Sequence, residues 1–110
     1  MNEAARRLRE RVIERALHAP GKAGAPARRA AFDNHGVDER ARGLVDKVAR
    51  HAWKVTGRDV EATKASGVSE DEVFELAVCA ALGQATRQLE AALAALDAAR
   101  GAPHDGRGAR

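Results

Sequence analysis

Two helix-start signatures occur in tandem in residues 55–73, and they constrain the fold more than any other feature of the chain. In the second, Ser69 is followed three residues later by Glu72, the spacing of a capping box in which each side chain pairs with the backbone N–H of the other residue. In the first, Thr56 and Asp59 have the same spacing. The sequence therefore predicts two consecutive helices with defined starting points.

The second of these helices should be long and largely buried. No charged residue occurs from Leu76 to Thr86, and a helix that is apolar on all sides is expected to be buried on all sides. We predict a helix from about Glu70 to Ala99, preceded by a left-handed cap at Gly67. The second half of this helix contains an approximately heptad-spaced seam formed by Val78, Leu82, Ala85, Leu89, Leu93 and Leu96.

The remaining segments also show helical spacing of apolar residues, without strand-like alternation. We therefore predict an all-α protein, a helical bundle of about four to five helices with a long C-terminal helix. The predicted segments are an N-terminal amphipathic helix in residues 1–20, a connector in 21–36 with one or two helical turns over 27–33, a helical core in 37–100 and a disordered tail in 101–110.

The composition favours assembly with other chains. The chain has 110 residues, the size of one domain, but only 3% of them are aromatic, and alanine supplies much of the 45% apolar content. An alanine-rich core buries little area per residue, and the leucine seam leaves apolar surface for another subunit. The sequence predicts a homo-oligomer, with Trp53 as a core or interface anchor, and allows for a further protein partner.

The single cysteine and the absence of long apolar segments indicate the cellular compartment to expect for this protein. Cys79 is the only cysteine, which excludes an internal disulfide and suits a reducing compartment. We find no N-terminal signal-peptide pattern, and the uncharged run is far shorter than the roughly 20 residues that a membrane span needs. We therefore expect a cytoplasmic protein that does not span a membrane.

The charge distribution raises the possibility of nucleic-acid binding. Residues 1–30 contain 8 Lys or Arg and 3 Asp or Glu, whereas residues 69–110 contain 4 and 7. The basic end, through residues 6–15 and 28–29, could contact phosphates. However, Glu10 and Glu14 interrupt the arginines, and no aromatic residue is present there to stack on a base. Pairing of the basic segment with acidic helices of the same chain is the preferred interpretation.

Three residues are candidates for chemistry. Glu75 and Cys79 are four residues apart, so they are neighbours on the surface of the long helix and could form a proton relay. His51 could pair with either residue across a helix interface, which makes His51 and Glu75 the candidate catalytic pair. A carboxylate and an apolar site both raise a thiol pKa, however, which favours a structural role for Cys79. The spacing of residues indicates no metal site and no cofactor site.

Part of the chain resembles the alkyl hydroperoxidase D-like, or carboxymuconolactone decarboxylase-like, superfamily. The resemblance lies in residues 44–56 with Asp59-Val60, in the segment from Ala65 to Leu76, and in the helix from Ala80 to Leu93 with Arg87. It implies an all-α fold, often assembled as trimers or hexamers. Peroxidatic members use a CxxC pair with a glutamate and histidines, but this chain has one cysteine, located after the Gly-Val-Ser-Glu segment. The resemblance therefore implies a non-peroxidatic protein.

These observations favour an oligomeric structural or partner-binding module. The first alternative is a small-molecule enzyme of the lactone-decarboxylase type that uses His51 and Glu75. The second alternative is nucleic-acid binding through the basic N-terminal helix.

Overall fold

The computed structural model describes residues 2–101, which form five α-helices and one 3₁₀ turn, with no strand in this range. The remaining part of the predicted tail, residues 102–110, lies outside the described residues. In chain order the elements are α1 (Glu3–His18), α2 (Ala25–Asp33), α3 (Glu39–His51), the 3₁₀ turn (Ala52–Lys54), α4 (Gly57–Ala65) and α5 (Glu70–Gly101). The predicted all-α bundle with a long C-terminal helix is confirmed.

Both predicted capping boxes are present. At the start of α5, the N–H of Glu72 donates to Ser69 Oγ at 3.2 Å, and the N–H of Ser69 donates to the Glu72 carboxylate at 2.9 Å. At the start of α4, Thr56 and Asp59 make the same reciprocal pair. Gly67, between the two helices, has a φ of +109°, the conformation that favours glycine. Local side-chain chemistry therefore determines where α4 and α5 begin.

The segment predicted as a connector contributes a full helix to the core. Pro26 lies in the first turn of α2, where a missing N–H costs nothing, and Asn34 ends the helix in a left-handed conformation. Ala31 and Phe32 are buried against α5, so α2 is one of its main packing partners. The predicted one or two turns over 27–33 therefore extend to Ala25–Asp33.

The core lies along one side of the first half of α5. The residues buried there come from α1, α2, α3, α5 and the loops between helices: Leu17, Ala23, Ala31, Phe32, Val37, Ala41, Val45, Leu76, Cys79 and Ala80 form the main cluster, and Leu44, Val68 and Val73 form a smaller one, against which Val60 of α4 packs. The second half of α5 extends beyond this core, since all residues after Leu93 are exposed.

Within the single chain, α5 is buried on one side only, although an uncharged helix was expected to be buried on all sides. Cys79 and Ala80 are fully enclosed, but Val78, Ala81 and Ala85 face solvent. The expectation fails because the four preceding helices are short and cover only part of the circumference of α5. No helix within residues 2–101 has the length and apolar character needed to cross a membrane.

Candidate functional site

Glu75 is fixed by the loop between α1 and α2. Its carboxylate accepts hydrogen bonds from the backbone N–H of Ala23 at 2.7 Å and of Lys22 at 3.0 Å. A Cβ at Gly21 would lie within 2.9 Å of the same carboxylate, so a side chain there would displace the carboxylate from this position. The Ala23 N–H, more than any other group, lowers the pKa of the Glu75 carboxyl. Glu75 is therefore an ionised, hydrogen-bonded anchor for the loop.

Cys79 lies one turn further along α5 and is enclosed. Its side chain is 1% exposed, and its Sγ donates to the backbone carbonyl of Ala16 at 3.4 Å. Burial raises the pKa of the Cys79 thiol, and the nearby Glu75 carboxylate adds to the rise. The Cys79 side chain is therefore protonated at neutral pH, and a protonated, inaccessible thiol is a poor nucleophile.

The sequence interpretation did not identify the structural role of Arg28. Arg28 is buried, and its Nη1 donates to the carbonyls of Ala19 at 2.6 Å and Ala16 at 3.2 Å. These carbonyls belong to the last turn of α1 and its cap, where a helix lacks internal donors and favours a positive charge. Arg28 thus closes the end of α1, and its guanidinium is engaged there rather than presented as part of a phosphate-binding surface.

His51 lies away from Glu75 and Cys79. It is exposed at the end of α3, and its ring makes an edge-to-face contact with Trp53, with ring centres 5.3 Å apart. Trp53 and α5 line one cleft at Ala81, Gln84, Ala85 and Gln88. The hydrogen bonds of Glu75 come from Lys22 and Ala23, and the Cys79 thiol donates to Ala16, so neither group is paired with His51. The structure therefore brings Glu75 close to Cys79 but does not bring His51 to either.

Only some of the basic residues of α1 and α2 pair with acidic residues of the chain. Arg6 and Arg7 both contact Glu3 of the same helix, at 3.2 and 3.4 Å. Arg9 lines an apolar groove against α5, together with Val12. Arg29, in the second predicted basic segment, pairs with Asp33 at 3.1 Å. Pairing within the chain, the interpretation preferred from the sequence, thus holds for Arg6, Arg7 and Arg29, whereas Arg11 and Arg15 form no ion pair within residues 2–101.

The largest unpartnered feature is a stripe on the solvent side of α5, which we call the outer face. It consists of Phe74, Val78, Ala81, Ala85, Leu89, Ala92 and Leu96. Phe74 is 69% exposed and Leu96 is 46% exposed. Between Phe74 and Ala99 the charged residues are Glu75, Arg87, Glu90 and Asp97. At 100° per residue, each of them points roughly 80° or more away from the centre of the stripe.

Other exposed apolar residues flank the outer face. Trp53 is 78% exposed and lies beside Ala81 and Ala85. On the opposite edge, Leu8 and Val12 of α1 are exposed next to a groove of about 210 Å³ between α1 and α5. The apolar surface thus extends from α1 across α5 to the 3₁₀ turn. The sequence indicated part of it through the predicted seam, but the position of α5 in the bundle decides which seam residues remain uncovered.

Comparison of this chain with models of known protein families, with curated proteins and with solved structures gives no match.

Proposed function

We propose that this protein is a homo-oligomeric structural module whose contact surface is the outer face of α5. The observation that carries the proposal is that this face is apolar and uncharged over its whole length, and that all its residues except the half-buried Leu89 are exposed. In a chain with 32% charged residues, such a long uncharged surface is unusual. Exposed apolar patches of this kind mark interaction sites in soluble proteins.

The contact surface needs the outer face together with the apolar residues beside it. From Phe74 to Leu96 the outer face is about 33 Å long at 1.5 Å per residue, and one helix is about 10 Å wide. The face alone therefore covers roughly 330 Å², which is the size of the largest apolar patch on a typical monomer and less than the roughly 800 Å² that each partner buries in a stable interface. Trp53, Leu8 and Val12 enlarge it. Trp53 is also a residue type that is enriched at interface hot spots.

The polar cluster around Glu75 supports a structural rather than a chemical role. The Glu75 carboxylate is occupied by two backbone N–H groups, and the Cys79 thiol is enclosed and protonated. A proton relay needs groups that can reach a substrate, and both groups are instead directed at the end of α1 and the following loop. The resemblance of residues 44–93 to the alkyl hydroperoxidase D-like superfamily is a further argument for assembly, because it also implies an oligomer.

The proposal can be tested through the only tryptophan of the chain. Trp53 lies beside the outer face, so assembly should shield it from acrylamide, a soluble quencher of tryptophan fluorescence. We expect Ala85→Lys, which places a charge at the middle of the outer face, to restore quenching to that of a fully exposed indole. Ala94→Lys is the matched control, since Ala94 is an exposed alanine on the opposite side of the same helix.

The control should quench like the wild type. If the wild type is already quenched as strongly as Ala85→Lys, Trp53 is exposed in solution and the outer face is not covered. If both lysine variants increase quenching equally, the effect does not come from the outer face. Either result would contradict the proposed function.

A further inference from the structure

We propose that the occupant of the outer face is a second copy of this chain, whose α5 lies antiparallel to the first with the two-fold axis at Ala85. This inference rests on the proposed function and specifies its partner and register. In such a two-fold interface, each residue contacts the partner position that mirrors it about the axis.

The spacing of the outer face is symmetric about Ala85. The intervals between successive outer-face residues are 4, 3, 4, 4, 3 and 4, which is the same sequence in both directions. In an antiparallel pair with its axis at Ala85, each residue of one copy faces the residue of the other copy for which the two numbers sum to 170. This symmetry is shared by any helix stripe centred on one residue, so it permits an antiparallel copy, and the choice of orientation rests on the sizes and charges of the residues that would pair: Phe74 with Leu96, Val78 with Ala92, Ala81 with Leu89, and Ala85 with itself.

The sizes of the paired residues fit two crossing helices. The central layer consists of two alanines, the next layers each join one alanine to a larger residue, and the outermost layer joins Phe74 to Leu96. Two straight helices that cross are closest at the crossing point and diverge toward their ends. Small side chains at the centre permit close approach, and the large pair fills the wider gap at each end. A parallel copy would instead place Phe74 against Phe74 and Leu96 against Leu96.

The charges at the two ends of α5 favour the antiparallel arrangement. Asp71 is in the acidic first turn, and Arg100 is in the last turn. Residue numbers that sum to 170 face each other in the proposed pair, and 71 and 100 sum to 171. Asp71 of one copy therefore lies close to Arg100 of the other copy. Both project to the same edge of the outer face at 100° per residue. A parallel copy would bring Asp71 against Asp71 and Arg100 against Arg100, which is repulsive.

Trp53 provides a further contact at the axis. The residues of α5 that share its cleft are Ala81, Gln84, Ala85 and Gln88, which are centred near the proposed axis. The Trp53 side chains of both copies would therefore lie at the level of the closest approach between the two α5 helices. An indole at the centre of an interface is shielded from solvent more completely than one at the rim.

Disulfide cross-linking tests the register. Three single-cysteine chains are made in a Cys79→Ala background: Ala85→Cys, Phe74→Cys and Leu96→Cys. Each chain is oxidised, and the amount of cross-linked dimer is measured on non-reducing gels. A disulfide requires Cα atoms within about 7 Å. We expect Ala85→Cys to cross-link with itself. Phe74→Cys and Leu96→Cys should cross-link poorly alone and better when mixed, although less than Ala85→Cys because the two helices diverge toward their ends. Ala94→Cys, on the opposite side of α5, is the control that should remain uncross-linked.

The outcomes separate this inference from the proposed function. Efficient cross-linking of Phe74→Cys with itself, without cross-linking in the mixture, would show a parallel pair and overturn the inference. Absence of cross-linking for Ala85→Cys in a protein that is dimeric by light scattering would overturn the register but leave the proposed function standing. A monomeric wild type by the same measurement would overturn both. The same cysteine series with Cys79 retained controls for any loss of stability in the background.

Discussion

The backbone carbonyl of Phe32 occupies the space that a side chain at residue 83 would fill, so Gly83 allows α2 to pack directly on α5. Arg87, one turn further along α5, donates from Nη1 to the same carbonyl at 2.7 Å. This contact joins the C-terminal end of α2 to the middle of the central helix, because the last carbonyls of α2 lack donors within their own helix.

Gly83→Ala should destabilise the protein strongly. Its methyl group would overlap backbone atoms of Phe32, which cannot move without displacing α2. We expect a loss of about 3 kcal/mol in the free energy of unfolding, at the upper end of overpacking effects. The measurement is urea denaturation followed by circular dichroism. Gly43→Ala is the matched control, because Gly43 is a helical glycine with open space around it and should gain up to about 1 kcal/mol.

The features predictable from the sequence are those encoded locally. The starts of α4 and α5 follow from Thr56 with Asp59 and from Ser69 with Glu72, and each pair interacts over three residues. The roles of Arg28 and Gly83 depend on residues that are nine or more positions away in the sequence, so no local pattern indicates them. The side of α5 that faces the core is equally unpredictable from its apolar run, because an uncharged helix has no polar side that gives its orientation.

For the candidate site residues, too, features encoded locally are predictable from the sequence, and features that depend on helix packing are not. The burial of Cys79 was predicted from its position in the uncharged run, and this prediction is confirmed. The placement of His51 beside Trp53, and the engagement of Glu75 by the loop after α1, depend on how the helices pack. The spacing of four between Glu75 and Cys79 could indicate that they are neighbours, but not which groups their side chains contact.

Ser69→Ala should weaken the start of α5. The substitution removes the acceptor for the N–H of Glu72, and a lost N-cap costs about 0.5–2 kcal/mol. Ser66→Ala, at the end of α4, is the comparison, since Ser66 Oγ donates to the carbonyl of Thr63 at 2.6 Å and caps no helix start. Urea denaturation should show a smaller loss for Ser66→Ala. Equal losses would mean that the Ser69 hydroxyl does not act as a cap.

Glu75→Gln should reduce stability in a pH-dependent manner. The folded protein holds the pKa of Glu75 below its ordinary value of 4.5, chiefly through the Ala23 N–H, so the folded state favours the ionised carboxylate. This contribution is present above pH 4.5 and is lost as the pH falls through the lower pKa of the folded state. At neutral pH the free energy of unfolding of the variant should be lower by about 1 kcal/mol, the contribution of one hydrogen bond.

The difference in the free energy of unfolding between wild type and Glu75→Gln should therefore become smaller as the pH is lowered below 4.5. Urea denaturation at a series of pH values measures this difference. A difference that is constant from neutral pH to well below 4.5 would exclude the charged carboxylate as the anchor of the loop.

Cys79 should react slowly with thiol reagents in the folded protein. Its side chain is enclosed, and burial raises its pKa, so both access and thiolate content are low. Labelling with a chromogenic disulfide reagent should be slow in buffer and complete in urea. Cys79→Ala should cost about 1 kcal/mol and leave assembly unchanged. Rapid stoichiometric labelling of the folded protein would overturn the structural assignment of this thiol.

Sedimentation equilibrium of the wild-type chain tests the central claim most directly, because it measures whether another subunit covers the outer face of α5. The chain has a mass of 11.7 kDa, so two copies give 2 × 11.7 = 23.4 kDa. We expect a mass of at least this value at micromolar concentration, and a return toward the mass of one chain for Ala85→Lys but not for Ala94→Lys. A wild-type protein with the mass of a single chain across the micromolar range would contradict the account.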